Sequence, residues 1–150
     1  MKKNYQKILF VLGIPFILFI ILVFVGLNKT KNDVEYYKSI GLKLNGKIEA
    51  VEKLRYGHDY GVITIDLNYS NINEYDKRNE LKRYLGVIKN GKADLVFNSI
   101  GSVKKGDSIV IDIQNYKVFR SGKLIRENII GMPSDYIFTP FNEIKSKINL

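Results

Sequence analysis

Hydrophobic residues run unbroken from Ile8 to Leu27, twenty positions without a charge, behind the polar opening Met-Lys-Lys-Asn-Tyr-Gln-Lys. At about 1.5 Å per residue, such a helix reaches roughly 30 Å, the thickness of a bilayer's hydrocarbon core. The run predicts a transmembrane helix over 8–27, and Gly13 and Pro15 are tolerated in helices of that kind. A cleaved signal peptide would carry a shorter apolar core, about 7–15 residues, and a small-x-small exit. Here the exit reads Val23-Phe24-Val25-Gly26-Leu27-Asn28, with Phe24 where a small residue is needed. A retained signal-anchor is therefore expected, ahead of a cleaved leader or a helix buried in a soluble core. Residues 1–7 form a cytoplasmic tail and 28–40 a polar stalk, in which Tyr36 and Tyr37 suit the headgroup level or belong to the fold.

From Leu44 onward the pattern becomes alternating. Ile63, Ile65, Leu67 and Tyr69 share one face of a strand, and Thr64, Asp66 and Asn68 the other. Ser108 to Gln114 repeats this, with Ile109, Ile111 and Ile113 inward. Lys47 to Tyr56 follows it more loosely and pairs with Gly61 to Tyr69 through Gly57-His58-Asp59-Tyr60. Asn90-Gly91 between two apolar runs is a strong hairpin signal, because both residues accept the positive φ of a type I′ turn, and Ser121-Gly122 resembles it. Asn71 to Glu80 is polar, and Glu74 to Leu85 reads equally as a short helix or an insertion loop. Thr139-Pro140 reads as a helix start, with Phe141, Ile144 and Ile148 on one face of a closing helix or of a segment returning to the membrane. The expectation is one mostly β domain over 41–150. It would form a small barrel or two-layer β-sandwich of about seven strands, a meander of hairpins with a short C-terminal helix, tethered by the N-terminal transmembrane helix.

Charge then sets the orientation. Of 24 basic and 15 acidic residues, the first 27 positions hold three Lys and no acid, leaving the remainder at +6. Lys2, Lys3 and Lys7 are matched across the span by Lys29, Lys31 and Lys38, but acids (Asp33, Glu35) occur only after it, favouring N-terminus inside and domain outside. Lys greatly outnumbers Arg, 19 to 5, while Asn occurs fourteen times and Ala twice, the bias of an AT-rich bacterial genome.

Candidate chemistry is sparse. With no Cys and one His, His58, disulfides and Cys/His zinc sites are excluded, and the acids show no calcium-loop spacing. No nucleotide or cofactor motif is present, so no cofactor is expected. Val103-Lys104-Lys105-Gly106-Asp107-Ser108-Ile109-Val110 resembles the turn-into-strand of barrel-sandwich and other small β-barrel domains in membrane-anchored envelope proteins. That resemblance implies a fold class, with Gly106 in a tight turn and Asp107 bonded to nearby backbone. Membrane-fusion adaptors carry a long coiled-coil insertion that this chain lacks.

Basic and aromatic residues mix at three places, making Arg55, Tyr56, Tyr84, Tyr116, Phe119 and Arg120 the candidate binding residues. On an oligonucleotide-binding barrel such groups would stack bases and neutralise phosphates, but aromatic cross-strand pairs with basic residues on the wet face are the ordinary account of them. The expected function is a non-catalytic binding or assembly module of the cell envelope. Its partners would be the bilayer, through 8–27, and an envelope protein or polymer. Two alternatives belong to other classes. A small carboxylate-dependent enzyme would draw a pair from Asp59, Asp66, Asp94, Asp107 and Asp112. A nucleic-acid binder would require the domain to be cytoplasmic, so nucleic acid is an unlikely partner.

Overall fold

Among the described residues, β-branched and aromatic positions alternating between Gly and Asn turns build eight antiparallel strands. The computed structural model describes residues 14–25, 27, 35–55, 59–77, 86–130 and 141–150. The chain divides into two compact units, Met1–Tyr36 and Tyr37–Leu150.

In the first unit residues 14–25 are helical and every one is exposed, the large apolar side chains between 44% and 69%. Twelve helical residues rise about 18 Å. Among the described residues no helix is long and apolar enough to cross a membrane. Residues 8–13 and 26 of the expected span, and 28–34 of the stalk, lie outside the described residues.

The second unit contains β1 (Lys43–Lys53), β2 (Tyr60–Ser70), β3 (Tyr75–Asp76), β4 (Gly86–Lys89), β5 (Lys92–Asn98), β6 (Ser108–Asp112), β7 (Asn115–Arg120) and β8 (Lys123–Ile129), followed by a helix at Phe141–Lys147. They form one sheet in the order β3-β4-β5-β2-β1-β6-β7-β8. The mostly β fold and its C-terminal helix match expectation, but three details are corrected. The described residues form eight strands, where about seven were expected. They make a single open sheet, not a closed barrel or two separate sheets. The order also departs from a meander, since β2 pairs with β5 and β1 with β6.

The sheet is open yet strongly curled. β5 and β7 are separated by β2, β1 and β6, which at about 4.8 Å per strand puts them roughly 19 Å apart in a flat sheet. Their side chains nevertheless meet, with Phe97 and Tyr116 ring centroids 4.5 Å apart. β1 changes register against β2 between Asn45 and Gly46 and again between Ile48 and Ala50, irregularities of the kind that bend and twist a strand. A side chain at Gly46 would collide with the Asp66 carbonyl and Ile65, so only glycine permits this approach. Inside the curl lie Leu44, Ile48, Ile63, Ile65, Leu95, Phe97, Ile109, Ile111, Tyr116 and Val118, all buried. At one corner Asn98 Nδ2 donates to the Ile129 carbonyl at 3.0 Å and Arg126 to Ser99 Oγ at 3.0 Å. Side chains, not a backbone ladder, link β8 to the end of β5.

The outer face of the β2–β5–β4 half is covered too. Ile144 and Ile148 of the C-terminal helix pack on Leu54, Val62, Val87 and Val96. Both faces of β5 are covered, so Ala93, Leu95, Val96 and Phe97 are buried whichever way they point, and Asp94 is buried among them. Of the expected helix start, Thr139 and Pro140 lie outside the described residues.

Both predicted tight turns are present, with positive φ at Asn90 (53°) and Gly91 (73°), and at Ser121 (50°) and Gly122 (79°). Ile113 differs from expectation: it leaves the strand at φ 60° to reverse the chain into β7, and its N–H donates to the Leu42 carbonyl at 2.7 Å. Part of the segment expected to be helix or loop is strand, because Tyr75 and Asp76 pair with the otherwise open edge of β4. Residues 78–85 lie outside the described ones.

Candidate functional site

The six basic and aromatic candidates do not form one surface. Tyr56 and Tyr84, like His58, lie outside the described residues. Tyr116 and Arg120 have the same phase on β7 and point into the curl, whereas Phe119 alternates with them and is half-buried. Tyr116 is fully buried, and its hydroxyl has no hydrogen-bond partner among the described residues. Arg55 is exposed beside the C-terminal helix, where its backbone N–H donates to Glu143 Oε1 at 2.5 Å.

Arg120 is held by Asp107. The guanidinium donates through Nε to Oδ1 and through Nη2 to Oδ2, both at 2.9 Å, forming the planar fork that Arg favours. The Lys104 N–H also donates to Oδ2 at 2.9 Å, and Gly106 makes the turn at φ 93°. Asp107 is buried, and the Arg120 hydrogen bonds hold its carboxyl below the usual range, assisted by the Lys104 amide and nearby positive charge. The pair fastens the turn before β6 to the end of β7.

Asp94 has a similar structural office and is fully buried. Its Oδ1 accepts from Thr64 Oγ1 at 2.7 Å, and Oδ2 from the N–H groups of Asn149 and Leu150 at 2.7 and 3.2 Å. One carboxylate thus pins the segment after the C-terminal helix to the middle of the sheet. Asp59 accepts from the Gly101 N–H at 2.9 Å, and Asp112 pairs with Lys43 at 3.1 Å. Sequence reading missed the Asp94 anchor, because the Asn149 and Leu150 amides that it holds lie some 55 residues away and backbone groups carry no sequence signal.

Two recesses flank the β3 edge. One of about 330 Å³ is lined by the end of β2, the β2–β3 connection and the Asn90-Gly91 turn. The other, about 420 Å³, lies along β3 and β4 from Glu74 to Lys89. Neither is lined by any of the five aspartates proposed as a catalytic pair. Among the described residues no cluster of His, Cys, Asp and Glu is placed to hold a metal.

No protein-family model, no curated protein and no solved structure matches the chain.

Proposed function

We propose that this chain is a single-pass membrane protein whose β domain faces the extracytoplasmic side and serves as a non-catalytic binding or assembly module of the bacterial envelope. The observation that carries the reading is the first helix, apolar on every side and exposed at each described position. A helix that is hydrophobic all round belongs in a protein core or a bilayer. The twenty-residue uncharged run that contains it has the length for the bilayer.

The engagement of the acids supports a binding role over catalysis. Asp94 and Asp107 are saturated with structural hydrogen bonds, and Asp59 is tied to the loop after β5. The partner class is an envelope protein or polymer.

A C-terminally tagged chain in bacterial spheroplasts, treated with external protease, tests this directly. Loss of the tag in intact spheroplasts is expected, and photocrosslinking would then capture the envelope partner. Protection until lysis would place the domain in the cytoplasm and overturn the proposal.

A further inference from the structure

The 330 Å³ recess lies where β2 outruns its neighbour. β5 pairs with β2 as far as Lys92 opposite Asp66, and the chain then turns at Asn90-Gly91. β2 continues through Leu67, Asn68, Tyr69 and Ser70 with β1 beside it. The Leu67 N–H donates to the Gly91 carbonyl at 2.9 Å, tying the turn to the strand. Past Ser70 the chain reverses in a tightly bonded corner. The Ser70 hydroxyl donates to the Ile72 carbonyl at 2.7 Å and accepts from the Ile72 N–H at 3.2 Å. Asn71 accepts from the Lys43 N–H at 2.7 Å and donates to the Gly41 carbonyl at 2.9 Å. The backbone of the recess is thus set in place before any ligand arrives, which lowers the ordering cost of binding.

The lining is polar and uncommitted. Asn68, Tyr69, Asn73, Glu74 and Asn90 surround the recess, and their side chains make no hydrogen bond or ion pair among the described residues. Elsewhere Asn71, Asn98 and Asn149 donate to backbone carbonyls. Tyr69 is 54% exposed, because the register shift that leaves Leu67 opposite Gly46 and Tyr69 opposite Asn45 takes it out of the phase of the buried Ile63 and Ile65. A tyrosine ring presents a rigid apolar face with a polar tip, and each asparagine offers an acceptor beside two donors. No Lys or Arg lines the recess, and Glu74 gives it a negative charge.

A complementary ligand carries adjoining hydroxyls that both donate and accept, an apolar C–H face for Tyr69, and no negative charge. Those are the properties of a neutral pyranose ring. We infer that this recess is a saccharide-binding subsite, formed by Tyr69 as the stacking platform and Asn68, Asn73, Asn90 and Glu74 as the hydroxyl partners. The inference rests on the envelope-polymer form of the proposed function and names the polymer's chemistry. The volume lies at the lower end of the range for small-ligand sites, about 300–1,000 Å³, which suits a terminal or single sugar unit.

The test uses the full chain in zwitterionic detergent micelles, free of glycoside detergents. It is titrated with chitotetraose in its N-acetylated form, with maltotetraose, and with polyphosphate as an anionic probe, followed by calorimetry and amide NMR. Binding of a neutral sugar is expected, with amide shifts at 67–74 and 90–91. Tyr69→Ala and Asn73→Ala should each weaken it about tenfold or more, a loss of about 1.4 kcal/mol. Lys117→Ala, on β7, should leave it unchanged, and thermal melts of all three variants should stay close to that of the parent. Failure of both sugars to bind, binding indifferent to Tyr69→Ala, or polyphosphate shifting the same amides would overturn the subsite. Those results leave the anchored-module reading standing, whereas protection of the tag in spheroplasts overturns that reading whatever the sugars do.

Discussion

The N-terminal apolar helix and the C-terminal helix solve the problem of apolar surface in opposite ways. The C-terminal helix confines its burial to Ile144 and Ile148, which meet Leu54, Val62, Val87 and Val96, while Lys145 and Lys147 accompany them on the polar side. A single stripe needs one covering surface, and the sheet supplies it. The N-terminal helix has no such stripe. Its apolar residues occupy all sides, and every described one is exposed, so a single docking face would leave the rest in water. The distribution of apolar residues, more than their number, determines which solvent a helix requires.

The largest expected effect breaks that contrast at the first helix. Phe19→Asp together with Leu22→Asp places two carboxylates in the apolar run, at about 2.5–3.5 kcal/mol each for a charge at the centre of a membrane helix. The doubly substituted chain should move from the membrane pellet to the soluble or aggregated fraction. Retention in the membrane would show that the helix does not insert.

Loosening the C-terminal helix should have a smaller but clear effect. Asp94→Ala strands the Thr64 hydroxyl and the Asn149 and Leu150 amides, and should cost about 3 kcal/mol in urea unfolding. Hydrogen exchange should rise first at 141–150. Unchanged exchange there would mean that Ile144 and Ile148 hold the helix without the carboxylate.

Asp107→Ala removes the clamp on Arg120 and should cost about 2 kcal/mol at neutral pH. The folded pKa of Asp107 lies below its unfolded value, so the stabilisation is present above the ordinary carboxylate range and is lost as the pH falls through the folded pKa. The difference between parent and variant should therefore shrink in acid. A difference constant with pH would remove the charge from the explanation.

The smallest effect is expected at Tyr116→Phe. The hydroxyl has no partner among the described residues, and its removal should change stability by no more than about 1 kcal/mol, in the stabilising direction. Marked destabilisation would point to a hydrogen bond that the described residues do not account for.

Much of the sheet was legible in the chain. Alternation placed β2 and β6, and the positive-φ residues Asn90-Gly91 and Ser121-Gly122 located two hairpins, because those signals depend on neighbouring residues. Closure was less accessible. Gly46 inside β1 marks a close backbone approach, here to the Asp66 carbonyl, but whether the sheet closes is set by contacts between strands far apart in the chain, such as Phe97 with Tyr116. The Ile113 turn was missed for a related reason, since a β-branched residue at φ 60° is held there by tertiary contacts against its own preference.

The candidate site was harder still. The phase of Tyr116-Lys117-Val118-Phe119-Arg120 already places Tyr116 beside Val118, and the register opposite Ile111 puts it in the core. Composition drew attention to it as a ligand contact, while periodicity carried its true position. The recess beside Tyr69 left no motif, because Asn68, Asn73 and Asn90 come together through a turn and a hairpin that meet in space.

The most direct test of the central claim is alkaline extraction of membranes from bacteria expressing the full chain, with the Phe19→Asp, Leu22→Asp variant alongside. An integral anchor predicts that the parent chain stays in the pellet at high pH and is released by detergent, while the variant is absent from that pellet. Release of the parent chain by alkali alone would contradict the account, because it would place the apolar helix at the surface of the bilayer or against another protein.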